Sequence, residues 1–149
     1  MKDPARMYRE VAVRGASPVG LIVILYQEII RSIRRAQRAQ AQNNIEQRAL
    51  ALSHAVEVIG YLQSILNMEA GGEVARNLSQ FYNAMRAQTL EANLQGSDEL
   101  MESLGREFAN LAEAWLEVDR TASQESSGDS TAVPATTPAG ASDALGMAR

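Results

Sequence analysis

Cysteine is absent from this 149-residue chain, which excludes disulfides, thiol nucleophiles and thiolate metal sites. Histidine occurs once, at His54, too few for the repeated Glu-x-x-His ligands of a di-iron bundle. Glu57 follows it at i+3, the reverse of that order, so no metal or other cofactor is expected. Aromatic residues make up only 5% of the chain and β-branched residues are few, so strands are not expected. Long apolar runs are also missing. The longest, Leu21-Ile22-Val23-Ile24-Leu25-Tyr26, is far shorter than the roughly 20 residues of a membrane span, and the opening Met-Lys-Asp-Pro has no apolar export-signal core. A cytoplasmic protein without membrane insertion is expected. No serine elbow, phosphate loop or paired buried acid appears, so no enzymatic activity is expected either.

The charge is unevenly spread. The net value is -4, but residues 1–42 hold eight basic groups against three acidic ones, residues 43–120 hold five against twelve, and the remainder one against three. An acidic chain is poorly suited to binding polyanions without specificity. Arg31, Arg34, Arg35 and Arg38 form a local basic stripe at i, i+3, i+4 and i+7, but no interleaved aromatic offers a stacking platform, so no nucleic acid partner is expected. The stripe reads as a solvated helix face or as a contact for an acidic protein surface.

Ala, Leu, Glu, Gln and Arg dominate, and their spacing is helical. Ser17 suits an N-cap and Pro18 the first helical position, where its missing N–H costs nothing. The first helix should reach about Gln42 and bury Ile22, Leu25, Tyr26, Ile29, Ile33 and Ala36. Asn43-Asn44 turns the chain into a second helix with Ile45, Ala49, Leu52, Val56, Ile59 and Leu66 on its core face. Asn67 to Glu73, with paired glycines, reads as a turn. A third helix then buries Val74, Leu78, Phe81, Tyr82, Met85 and Ala92. Gly96-Ser97 stops it, and Ser97 or Asp98 caps a fourth, with Met101, Leu104, Phe108, Leu111, Trp115 and Val118 inward. Short connections favour an all-α, antiparallel up-down four-helix bundle. Its expected organisation is an N-terminal cap segment over 1–16, the bundle over 17–120, and a disordered Ser/Thr/Ala/Pro-rich tail over 121–149.

Two features exceed what a bundle core needs. The first helix is apolar beyond one stripe, with Ile24 in line with the arginines. The second helix carries an additional stripe, Leu50, His54, Val58, Tyr61 and Ile65, at i, i+4, i+8, i+11 and i+15. Either these helices are buried widely between neighbours, or the surplus lines a groove for an apolar peptide helix. Met7, Tyr8 and Val11 give the N-terminal segment an apolar side able to cover such a surface until a partner displaces it.

Specific blocks sharpen this. Met7-Tyr8-Arg9-Glu10-Val11, Gly15-Ala16-Ser17-Pro18, the Ile24-to-Ile30 stretch, and above all Leu66-Asn67-Met68-Glu69-Ala70-Gly71-Gly72-Glu73-Val74 resemble the flagellin-specific export chaperones of the FliS family. The resemblance implies a helical bundle that binds the C-terminal segment of flagellin in the cytoplasm, prevents its premature polymerisation, and aids delivery to the export gate component FlhA. With it, the candidate partner-binding set is Tyr8, Val11, Ile24, Tyr26, Leu50, His54, Val58, Tyr61, Ile65 and Asn67. A generic helical adaptor or regulator using the arginine face is the alternative.

Overall fold

In a computed structural model, residues 18–125 are described and form four helices: α1 (Pro18–Ala41), α2 (Ile45–Ser64), α3 (Met68–Gln95) and α4 (Asp98–Glu125). The N-terminal cap segment and the tail beyond Glu125 lie outside those residues. α1 packs against both α2 and α4, α2 against α3, and α3 against α4, closing an up-down-up-down ring. The α1 seams are the most extensive, and the α3/α4 seam is the loosest. This is why α1 is apolar beyond one stripe. Its expected core face is fully sealed, and Val19, Leu21 and Val23 are buried as well.

Each connection follows from a local cap. Asn43 takes a positive φ of 56, and the Asn44 side chain accepts from the Gln47 N–H at 3.1 Å. Gly96 ends α3 in the left-handed region, its N–H returning to the Ala92 carbonyl. A Cβ there would also come within 2.9 Å of the Arg48 guanidinium. Ser97, not Asp98, caps α4, its Oγ accepting from the Leu100 N–H at 3.1 Å. Arg48 ties three helices together at this end. It donates to Gln40 Oε1 at 2.7 Å and to the Asn93 carbonyl at 2.8 Å, while Gln40 donates to the Gly96 carbonyl at 2.6 Å.

The structure departs from expectation in three places. Asn67 to Glu73 is not an open turn. Asn67 caps a first helical turn through the Ala70 N–H at 2.9 Å, and the axis then breaks at Gly72, with φ 54 and ψ -128. Nothing approaches a Cβ built at Gly72, so glycine is required there by its backbone angles alone. Ile45, expected in the core, is 65% exposed, because it opens α2 directly after the Asn44 cap, beyond the end of the packed layer. α4 continues past residue 120 to Glu125. Thr121 is buried, so apolar packing reaches beyond residue 120, and its hydroxyl donates to the Glu117 carbonyl at 2.9 Å.

At mid-height the core is aromatic. The Tyr26 and Tyr82 hydroxyls meet at 2.6 Å across the diagonal from α1 to α3, and the Tyr26 and Phe108 rings lie 5.8 Å apart. Burial pushes the Tyr26 hydroxyl well above its ordinary range, with Tyr82 adding to the shift and a Trp115 hydrogen bond opposing it. Burial likewise raises Tyr82. Both stay neutral, one donating and the other accepting, so each satisfies a polar group that could not be left bare in the core.

Candidate functional site

Because α1 and α2 are antiparallel, Ile24, Glu28, Arg31 and Arg35 on α1 run beside Ile65, Tyr61, Val58, His54 and Leu50 on α2. Glu28 comes level with His54, and Arg35 with Leu50. The seam has three zones. At one end a cleft of ≈ 330 Å³ is lined by Arg35, Gln47, Leu50 and Ala51. In the middle is an ionic network, and at the other end Tyr61 and Ile65 are half-buried against the core and Ile24 is half-buried.

The network has a physical logic that the sequence reading missed. His54 is only 1% exposed, and Glu57, which follows it at i+3, points to solvent and is not its partner. Its Nε2 sits 2.8 Å from Glu28 Oε2. Arg31 donates to the other carboxylate oxygen at 3.0 Å, and the Arg35 guanidinium lies 3.7 Å from Glu28. Burial pushes the Glu28 carboxyl up, but the hydrogen bonds from His54 and Arg31, with the Arg31 charge, outweigh it and hold the group below its ordinary range. The carboxylate therefore accepts from the Nε2–H of His54, leaving His54 Nδ1 buried without a partner among the described residues. The signal available in the sequence was that Glu28 is the sole acid of α1 among four arginines.

This sets a pH dependence. A carboxyl whose folded pKa lies below its unfolded value near 4.5 stabilises the fold above that value and loses the contribution as pH falls through the folded one. Urea midpoints of the wild type and Glu28→Gln should differ most at neutral pH, and the gap should close as the solution is acidified below 4.5. A gap that persists unchanged in acid would show that the charge is not what Glu28 contributes.

The other candidate residues divide by position. Leu50 is 45% exposed, whereas Tyr26, His54 and Val58 are sealed in the core. Asn67 serves as the α3 cap. Tyr8 and Val11 lie outside the described residues. Among the described residues, no group of three side chains could hold a metal, and no helix is long and apolar enough to cross a membrane.

Comparison with known proteins matches residues 1–122 to the family described as flagellar protein FliS. The chain belongs to the FliS family. It is 34% identical over 128 residues to the flagellar secretion chaperone FliS of Salmonella typhimurium strain LT2, covering 85% of this chain and 95% of that one. It is 29% identical over 115 residues to flagellar secretion chaperone FliSB of Pseudomonas aeruginosa, covering 77% and 91%. With FliS of Vibrio cholerae the identity is 28% over 122 residues, covering 79% and 90%. Membership gives this FliS-family bundle a chaperone role in flagellar export, a role that requires binding and no turnover.

Proposed function

We propose that this chain binds the C-terminal segment of flagellin in the cytoplasm, prevents its premature polymerisation, and aids its delivery to the export gate component FlhA. The observation that carries the reading is family membership across the whole bundle. The α1/α2 seam supports it. Its half-open apolar residues Ile24, Leu50, Tyr61 and Ile65 offer anchors for an amphipathic helix, and Tyr26, His54 and Val58 act from beneath by fixing the positions of those anchors. Asn67 contributes in the same indirect way, and Tyr8 and Val11 provide a tethered apolar cover. The adaptor reading gains less support, because Arg31 and Arg35 are already committed to Glu28.

Binding would couple folding of the client to burial of the seam. Calorimetry with a flagellin C-terminal segment should give a negative heat-capacity change, and circular dichroism of the mixture should exceed the helix content of the separate components. Absence of binding at tens of micromolar would remove flagellin as the client.

A further inference from the structure

The face opposite the α1/α2 seam carries a second surface that the reading above does not use. Along the loose α3/α4 seam lies a cleft of ≈ 450 Å³. Its floor is apolar, made by Phe81 from α3 and Leu111 and Ala114 from α4, and its rim carries the carboxylates of Glu107, Glu113 and Glu117. Among the described residues, no lysine, arginine or histidine lines it. Phe81 packs edge-on against both Tyr82 and Phe108, at 5.9 Å in each case.

The rim charge is only partly compensated. α4 holds eight acidic residues against two basic ones, a net of -6. Glu117 engages Arg120 at 2.7 Å, but among the described residues Glu107 and Glu113 have no ionic partner. Glu113 and Glu117 stand at i, i+4, a spacing at which like charges repel. Solubility accounts for acids on an outer face; it does not account for an apolar, aromatic-floored cleft between them. From Glu107 to Glu117 the cleft follows α4 for about 15 Å, at ~1.5 Å per residue, the length of nearly three helical turns.

We propose that this cleft docks an amphipathic helix of a partner protein, whose apolar face enters the α3/α4 seam while flanking lysines or arginines meet Glu107, Glu113 and Glu117. Apolar burial supplies the affinity, and the acidic rim selects the charge of the partner. The surface does not depend on flagellin being the client of the other seam.

The test uses the full chain and three synthetic helical peptides followed by fluorescence anisotropy. One has a leucine face flanked by lysines, one has the same face flanked by glutamates, and one has lysines with the leucines replaced by serines. The first should bind about tenfold or more tighter than either of the others at low ionic strength, and added salt should shrink its advantage over the glutamate peptide. Glu107→Gln/Glu113→Gln/Glu117→Gln should abolish that charge preference, while Glu46→Gln/Glu57→Gln/Glu91→Gln, with the same net charge, should retain it. The proposal is overturned if no peptide binds or if the serine peptide binds as well as the leucine one. It is equally overturned if both triple variants lose the preference alike, or if the cleft carboxylates instead prove to hold a second copy of the chain, seen as self-association that the first triple variant abolishes.

Discussion

Tyr26→Ala should destabilise the bundle by about 4 kcal/mol, in the range for truncating a buried aromatic residue, and Tyr26→Phe by only about 1 to 2 kcal/mol. The alanine variant removes a ring that is fully buried between helices and leaves a cavity at the diagonal of the core. The phenylalanine variant keeps the ring and removes one oxygen. That loss exceeds the value of an average hydrogen bond, because the Tyr82 hydroxyl is then buried without its partner. Tyr82→Phe should cost less, since the Tyr26 hydroxyl would still have Trp115. Removing both hydroxyls should cost less than the sum of the two single changes, because neither is then stranded. Urea unfolding of the four variants checks all of this. Tyr26→Phe should also leave binding of the proposed flagellin segment intact, since its hydroxyl lies in the core; a binding loss while the bundle stays folded would mean that the core opens when the client docks.

Apolar periodicity made most of the bundle legible. Ile22, Leu25, Tyr26, Ile29, Ile33 and Ala36 are all buried as the 3.6-residue repeat requires, and Asn44, Asn67, Gly96 and Ser97 fall at helix ends because their side chains or backbone freedom suit those positions. Periodicity fails where a polar residue takes a core position. Glu28 was placed by neither rule, and His54 was placed on its stripe without its partner, since a carboxylate enters a core only when partners from another element are waiting for it, and a single chain of letters does not say which elements meet. The glycine pair exposed a different limit. Gly71-Gly72 signals a break, but the Asn67 cap starts a helix one turn earlier and confines the break to one residue. For the seam, spacing identified the stripe from Leu50 to Ile65 but not its depth. Depth depends on how closely α1 approaches, and α1 approaches closely enough to bury His54 and Val58 while leaving Leu50 half open.

That difference in depth makes Tyr61 the most informative position. Tyr61→Asp should weaken binding of the flagellin C-terminal segment by at least ~2 kcal/mol, the loss typical of a central aromatic anchor, with the bundle remaining folded. Tyr61 is half-buried, its ring resting against the core cluster, so the substitution introduces a charge at a site with access to water rather than in a sealed interior. Leu50→Asp lies at the more exposed end of the same stripe and should weaken binding with little change in stability, because its side chain already meets solvent. Val58→Asp is the internal contrast: it places a carboxylate where nothing is exposed and should unfold the domain. Titration calorimetry and thermal melts on the three variants separate the cases. If Tyr61→Asp abolishes the cooperative melt as Val58→Asp does, Tyr61 belongs to the core and the groove must begin elsewhere. If both Tyr61→Asp and Leu50→Asp melt normally and bind the segment as tightly as the wild type, the α1/α2 seam is not the client surface.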